Sequence, residues 1–345
     1  MQDDDSINGN RYLAFTELIR LDEEAATTTS DGTFKSAAKA FAPGGGTSAY
    51  GGHVFAQAAW AAAQTVKEGF VLHNVTGYFT LPGNTAFPFI YTVRVIRDGG
   101  RYCTRTVEVV QEHNKTGVCF TCTCSFKKEE AGAVDCQDQL DLWEEYKVAL
   151  GNRRPDDWPE APGVDSPWYW EASAQDGNRT DPFPGLSLRK VDMEAYNAPR
   201  KPLDRRQLQF YSTIGSMPPV SQAANLHACA HLYASDRNGL FVIPNHLGWG
   251  NDYSAMASLS HSVVFHVGSK DLAMAELDEK DAREWYCQES WMSRVSGGRG
   301  MIESRIWNGT GVHIASTYQE GLVRLNNSGP KLQDKFGAGA VREKL

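Results

Sequence analysis

Two stretches of small apolar residues predict two long helices. Residues 54–67 read VFAQAAWAAAQTVK and residues 222–235 read QAANLHACAHLYAS, and neither run contains Gly or Pro. Alanine has the highest helix propensity, so such runs favour helix strongly. A glycine-rich stretch at 44–52 precedes the first run, and Gly239 follows the second. Because alanine side chains are small, a sheet can approach each helix closely and wrap round it.

Alternating apolar and polar residues after the first helix predict an antiparallel meander. Residues 87–97, 102–111 and 118–126 are rich in β-branched and aromatic side chains. Short turns at Gly99-Gly100 and Gly117 separate them. One helix followed by short-turned strands indicates an antiparallel sheet rather than a parallel one.

The same order of elements returns in the second half of the chain. Strands are predicted at 207–213, 257–266 and 312–324, with two more on either side of Gly297-Gly298. The motif Gly99-Gly100-Arg101 recurs as Gly297-Gly298-Arg299. A repeat of this length indicates a duplicated domain. The predicted fold class is therefore α+β, with two repeats of a long helix wrapped by a curved antiparallel sheet.

The repeat divides the chain into three predicted segments. Residues 10–130 form the first domain and residues 196–328 the second, which carries the catalytic residues inferred below. Residues 131–195 are predicted to be a partly helical linker, because they combine a charged run, several Pro and Gly, and the Trp-rich sequence PWYWEAS.

Composition excludes several classes of function. The chain has 345 residues, of which 41% are hydrophobic, and a net charge of −8. An acidic chain is a poor general ligand for nucleic acid or an anionic membrane, so we expect neither as a partner. No apolar stretch reaches the length of a membrane helix, and the acidic start MQDDDSINGN lacks a signal-peptide pattern, so secretion is not expected. Cys122 and Cys124 share one face of a strand and are interpreted as reduced core thiols, with metal or disulfide use as alternatives.

Several motifs resemble the acyl-CoA thioesterase II family, in the family's order. In the first half they are GGHVFAQAAWAA (51–62), HNVTGYFTLPG (73–83), RDGGRYCTRTVEVVQ (97–111) and TGVCFTCTCSF (116–126). In the second half they are LYASD (232–236), ASLSHSVVFH (257–266), GGRG (297–300) and ASTYQEGLVR (315–324). The resemblance runs from about Leu13 to Arg324. It implies a double-hotdog fold, hydrolysis of fatty acyl-CoA to free acid and CoA, and a role in lipid metabolism.

The resemblance assigns three catalytic residues. The family's aspartate falls on Asp236, its hydroxyl residue on Ser258 and its glutamine on Gln319. The family more often has threonine at the hydroxyl position, so Ser258 is a departure. No cofactor and no metal are expected, the substrate is an acyl-CoA, and a homo-oligomer is expected. Relatives are often peroxisomal, and the C-terminal Glu-Lys-Leu is close to a peroxisomal address, so the peroxisome is the predicted location, with the cytoplasm as the alternative.

These residue types suit hydrolysis of a thioester by water. The reaction needs a base, a means of holding the water and donors for the developing oxyanion. A helix C-terminus and burial both disfavour an ionised carboxylate, so both should raise the pKa of Asp236 and make it a better base. A glutamine amide can orient the water without competing for its proton. Taken one at a time, Asp236 and Gln319 would be interpreted as surface residues and Ser258 as an ordinary strand serine.

The first half lacks such a set. Ser125 stands at the position of Gln319, and the acid nearest the end of its helix is Glu68, beside Gly69. One active site per chain is therefore expected, near the contact between the two halves.

Other functional assignments find less support in the sequence. His227 and His231 have the spacing of a zinc motif, but Ala228 replaces the glutamate. A hotdog enoyl-CoA hydratase would need a catalytic histidine such as His261, and a non-catalytic acyl-CoA binding protein is the third hypothesis. No Gly-x-Ser-x-Gly elbow occurs, which argues against an α/β-hydrolase thioesterase. Arg97, Arg101 and Arg105 are candidates to contact the phosphates of CoA.

Overall fold

The computed structural model describes residues 13–24, 31–112, 117–138, 140–175, 183–274 and 284–326. The strands in this part of the chain are β1 (Leu21–Glu24), β2 (Gly32–Ser36), β3 (Phe70–Phe79), β4 (Phe89–Asp98), β5 (Tyr102–Gln111), β6 (Phe120–Lys128), β7 (Leu186–Lys190), β8 (Gln207–Thr213), β9 (Tyr253–Phe265), β10 (Tyr286–Ser296), β11 (Arg299–Trp307) and β12 (His313–Leu325). The α-helices are α1 (Phe15–Leu18), α2 (Gly51–Ala63), α3 (Leu142–Glu145), α4 (Lys147–Leu150), α5 (Pro167–Gln175), α6 (Glu194–Asn197), α7 (Val220–Ser235) and α8 (Val242–Leu247).

The strands form one continuous antiparallel sheet whose order is symmetric about its centre. The order is β1-β2-β4-β5-β6-β3-β9-β12-β11-β10-β8-β7. Moving outward from the β3–β9 junction, β3, β6, β5, β4 and β2 correspond to β9, β12, β11, β10 and β8. Gly77 lies opposite His261 and Thr76 opposite Ser262 at the junction. The predicted repeat and the double-hotdog architecture are confirmed.

Helices α2 and α7 are the long helices of the two repeats, and they pack against each other. Ala56, Ala59 and Ala62 of α2 are fully buried. Their small side chains let the helix lie close to the sheet and to α7. The Tyr50 hydroxyl, just before α2, donates to the carbonyl oxygen of Tyr233 at 2.5 Å, which fixes the start of one helix beside the end of the other.

The first helix is shifted towards the N-terminus relative to the prediction of 54–67. It begins at Gly51 and ends at Ala63. The buried Arg105 guanidinium donates to the Thr65 carbonyl at 3.0 Å and to the Thr65 hydroxyl at 2.9 Å. Ala63 is the last helical residue, and Arg105 holds the turn that follows it at Thr65.

Residues of the predicted linker cover the outer face of the second repeat. Leu142, Tyr146 and Leu150 of α3 and α4 pack in one apolar cluster with Leu208 and Phe210 of β8. As a result, both faces of β8 are buried.

All seven cysteines are free thiols, and the Sγ atoms of Cys122 and Cys124 lie 3.7 Å apart on the buried face of β6. Within the described residues, no helix is both long enough and apolar enough to span a bilayer.

Candidate active site

The structure brings Asp236, Ser258 and Gln319 together. Asp236 is the residue that caps the C-terminal end of α7, Ser258 lies on β9 and Gln319 lies on β12. The Gln319 Nε2 group donates to Asp236 Oδ1 and, at 2.9 Å, to Ser258 Oγ. The Ser258 hydroxyl is 3.5 Å from Asp236 Oδ1. The three polar groups therefore contact one another, although they are far apart in the sequence.

A break in strand register places Ser258 on the correct face. In β9 and β12, His261 pairs with Gln319, and Ser258 pairs with Gly321, with a register shift between Glu320 and Gly321. In a regular strand, residues three apart, such as Ser258 and His261, point to opposite faces. A one-residue bulge reverses that relation, so Ser258 reaches the face on which Gln319 lies.

Glycines make room for the cluster on two sides. A Cβ atom added at Gly51 would lie 2.8 Å from Asp236 Oδ2, and one added at Gly239 would lie 2.3 Å from Gln319 Oε1. The backbone N–H of Gly52 acts on the Asp236 carboxylate and lowers its pKa. The start of α2 and the end of α7 thus meet here, and the cluster lies at the contact between the two halves.

Burial dominates the electrostatics of the cluster. The Asp236 side chain is buried, and loss of solvation raises its pKa from 3.8 to about 6. Hydrogen bonds from Gln319, Gly52 and Ser258 and the charge of Arg237 act in the opposite direction and limit the rise. The direction agrees with the sequence expectation. The carboxylate is then mostly ionised at neutral pH, yet it is more basic than an exposed aspartate.

His261 is next to the cluster but is held by another partner. Its Nε2 atom lies 2.8 Å from Ser235 Oγ, and its ring packs on Phe55 at 4.9 Å between centroids. Burial lowers the pKa of His261 to about 3, so the ring is neutral. A neutral histidine bonded to a serine favours a structural role over that of an acid or base in hydration.

Sequence reasoning missed Arg237, which fixes the other side of the helix end. This arginine is buried, and its guanidinium donates to the carbonyl oxygens of Gly163, at 2.9 Å, and Pro162. It also lies over the Phe183 ring, 4.2 Å from the centroid. Its position directly after Asp236 was the available signal. Arg237 ties the segment before α5 to the cluster.

The first repeat lacks an equivalent cluster in its described residues. Ser125 alternates with the buried Cys124 and Phe126, so it faces away from α2. Its hydroxyl lies 2.9 Å from His73 Nε2. Glu68 is exposed. The strand position that faces the helix is therefore occupied by Cys124 rather than by Ser125.

The histidines of the zinc-like motif have structural partners. His227 Nε2 lies 2.8 Å from the Pro218 carbonyl, and His231 contacts the Tyr211 hydroxyl and the Leu272 carbonyl. Among the residues that the structure describes, no group of three His, Cys, Asp or Glu side chains is arranged to bind a metal.

Two of the three candidate arginines are paired with acids. Arg105 is buried and forms an ion pair with Asp98 at 2.7 Å, and Arg101 pairs with Glu130. Arg105 therefore has a structural role.

Two protein-family models match the two halves of the chain. The sequence model of the acyl-CoA thioesterase N-terminal domain matches residues 40–127, and that of the C-terminal domain matches residues 155–323. Together they cover more than half of the chain. The chain belongs to the acyl-CoA thioesterase family. The prediction of a thioester hydrolase is confirmed at this level.

Curated relatives of this thioesterase carry the same family name. Acyl-CoA thioesterase 2 of Haemophilus influenzae is 25% identical over 287 residues, which cover 80% of this chain and 88% of the relative. Human acyl-coenzyme A thioesterase 8 is 25% identical over 290 residues, which cover 80% of each chain.

Solved structures share the fold of the thioesterase. Acyl-CoA thioesterase II TesB2 from Mycobacterium marinum superposes with a TM-score of 0.64 at 24% identity, covering 91% of this chain and 99% of the other. A conserved protein with a hot dog fold from Alicyclobacillus acidocaldarius has a TM-score of 0.62 at 14% identity, covering 90% and 97%.

Proposed function

We propose that this thioesterase hydrolyses acyl-CoA by direct attack of one water molecule held by Asp236, Ser258 and Gln319. The observation that carries the proposal is the convergence of a buried carboxylate, a hydroxyl and an amide at the contact between the repeats. Nothing in their sequence spacing forces this convergence, because one residue ends a helix and the others lie on separate strands.

Each group has a defined task. The Asp236 carboxylate accepts a proton from the water as the water oxygen bonds to the thioester carbonyl carbon. Ser258 and Gln319 orient the water. When the carbon–sulfur bond breaks, the proton passes to the departing thiolate, so the products are a free carboxylic acid and CoA. The start of α2 lies beside Asp236, so its helix dipole would stabilise the negative charge that develops on the thioester carbonyl oxygen.

The raised pKa of Asp236 supports its role as the base. General bases work best when their pKa lies near the operating pH, and burial moves this carboxylate from 3.8 to about 6. A protein that only bound acyl-CoA would gain nothing from a buried ionisable group at this position.

Release of free thiol from an acyl-CoA, with and without Asp236→Asn, tests the proposal. The amide cannot accept a proton, so turnover should fall by about 10²–10⁴-fold, which is the usual contribution of a general base. Glu68→Gln is the matched control, because it also neutralises an acid after a long helix, and it should leave turnover unchanged. Near-normal thiol release by folded Asp236→Asn would refute the role of the aspartate.

The same assay separates the alternative functions. Hydration of an enoyl-CoA without thiol release would identify a hydratase. Binding of acyl-CoA without either reaction would identify a binding protein. Acyl-CoAs of increasing chain length would define the preferred substrate.

We also propose a homo-oligomer and a peroxisomal location, with the cytoplasm as the alternative. Light scattering at several concentrations tests the first, and a constant mass near 38.1 kDa would contradict it. The C-terminal Glu-Lys-Leu lies outside the described residues, and its deletion in a cell that imports the protein tests the second.

A further inference from the structure

Two buried glutamines hold the backbone on either side of Asp236. Gln288 of β10 donates from Nε2 to the Ser235 carbonyl oxygen at 3.0 Å. Gln209 of β8 donates from Nε2 to the Arg237 carbonyl oxygen at 3.0 Å. Each glutamine is 1% exposed. The residues immediately before and after the aspartate are thus both bonded to the sheet.

The two glutamines also fix each other. They lie directly opposite in the β8–β10 ladder, and Gln209 Nε2 donates to Gln288 Oε1 at 2.9 Å. The Gln288 amide extends to Ser304 Oγ at 3.3 Å. Buried side-chain networks whose members bond to one another are rigid, because each rotamer is set by its neighbours.

A helix end explains the need for these donors. The last carbonyl groups of a helix lack partners within it, and buried carbonyls without partners are costly. Ordinary solutions are a glycine turn or water. Here Gln288 of β10 bonds the carbonyl of Ser235, the last residue of α7, and Gln209 of β8 bonds the turn that follows, so β8 and β10 orient the helix end.

We propose that Gln209 and Gln288 are positioning residues for the catalytic base. They hold the Asp236 backbone so that its carboxylate meets Ser258 and Gln319, and their amide donors offset the negative helix end. This inference rests on the proposed role of Asp236. Small displacements of a reacting group of about 1 Å can cost about 10²-fold in rate, so loss of either donor should lower kcat more than it changes KM.

Gln288→Met and Gln209→Met test the proposal. Methionine keeps the length and most of the volume of glutamine but has no N–H donor. We expect kcat to fall by about 10–100-fold with KM within about threefold. Because the donors no longer offset the helix carbonyls, the acid limb of the pH–rate profile should move to higher pH.

Gln207→Met is the matched control. Gln207 lies on the same strand, two residues before Gln209, and is also buried. Its Nε2 atom has no hydrogen-bond partner in the described part of the chain. The control should keep both kcat and the position of the acid limb.

A double variant separates positioning from general damage. In an Asp236→Asn background, Gln288→Met should lower the residual rate by less than about twofold, because the base that it positions is already lost. A further loss of the same size as in the wild-type background would overturn the proposal and show structural damage. If one methionine variant fails to fold, the other carries the test.

The outcomes distinguish this inference from the proposed function. If Asp236→Asn is inactive while both methionine variants keep wild-type kcat and the wild-type acid limb, the positioning role is wrong and the base assignment stands. If Asp236→Asn is active, the base assignment itself is wrong and the positioning role falls with it.

Discussion

Gly51, at the start of the first long helix, lies so close to Asp236, at the end of the second, that an added Cβ atom would be 2.8 Å from Asp236 Oδ2. This contact joins the two repeats at the candidate active site. The candidate base comes from one repeat, while the helix start that receives it comes from the other. Each half alone would therefore have an incomplete site, which agrees with the single cluster found among the described residues.

The space beside Gly51 should be essential for activity. In Gly51→Ala the new methyl group would lie 2.8 Å from Asp236 Oδ2 and 3.1 Å from the Phe79 ring, so the carboxylate must move. We expect kcat to fall by at least about tenfold, since a shifted base is poorly aligned. The control is Gly46→Ala in the preceding loop, where no atom lies within 4 Å of the added methyl. Equal activity of both variants in the thiol-release assay would disprove the steric argument.

The water-orienting groups should contribute less than the base. Ser258→Ala and Gln319→Ala should each cost less than Asp236→Asn, because each would remove a hydrogen bond to the proposed water but leave the proton acceptor. Ser258→Thr should retain activity, since it restores the family's usual hydroxyl at a half-buried position. Steady-state kcat values for the four variants check this order. A larger loss in Gln319→Ala than in Asp236→Asn would reverse the assigned roles.

The rate should depend on pH through the ionisation of Asp236. Only the ionised carboxylate can accept a proton, and its pKa is raised to about 6. The value of kcat/KM should therefore rise as the pH increases through about 6 and level off above about 7. The residual rate of Asp236→Asn should lack this limb. An acid limb near pH 4 in the wild type would show that burial does not control the base.

The same carboxylate should make the fold less stable as the pH rises. Its pKa is about 6 in the folded chain and 3.8 when unfolded, so the folded state holds the extra proton between these values. Stability from this group is full below about pH 3.8 and is lost as the pH passes about 6. The loss amounts to about 3 kcal/mol at most, from a shift of roughly two pKa units.

Urea unfolding of the wild type and Asp236→Asn at several pH values measures this effect. Asparagine does not titrate, so the wild type should lose stability relative to the variant between about pH 4 and about pH 7. A constant difference between the two proteins would contradict the raised pKa. Glu68→Gln, which removes the charge of an exposed acid, is the control for general effects of removing a charge.

The repeat and most of its elements were predictable because they depend on local sequence. Strands β5 and β8 have the predicted bounds, since alternation and short glycine turns determine where a strand begins and ends. The predicted start of helix α2, at residue 54, is three residues after its actual start at Gly51. The turn after its end is held by Arg105, which reaches Thr65 from a strand that is distant in the sequence. A propensity pattern cannot contain such a contact.

The family resemblance assigned Asp236, Ser258 and Gln319, but it could not show how they meet. Their convergence depends on the bulge in β9, where Ser260 and Ser258 pair with the consecutive residues Glu320 and Gly321, and this bulge has no clear sequence signal. The equivalence of Ser125 and Gln319 follows from a linear alignment of motifs. In the structure the two residues face opposite sides of the sheet, because residue parity along a strand depends on such bulges.

By itself, the sequence determined the duplicated α+β fold, the family and the three residue types of the candidate site. Those features follow from the periodicity of the sequence and from its short motifs. The tertiary structure decided which helix end meets which helix start, how deeply Asp236 is buried and which side chains bond the carbonyls around it. Burial and long-range hydrogen bonds are properties of the packed chain, and the basicity of the candidate base arises from them.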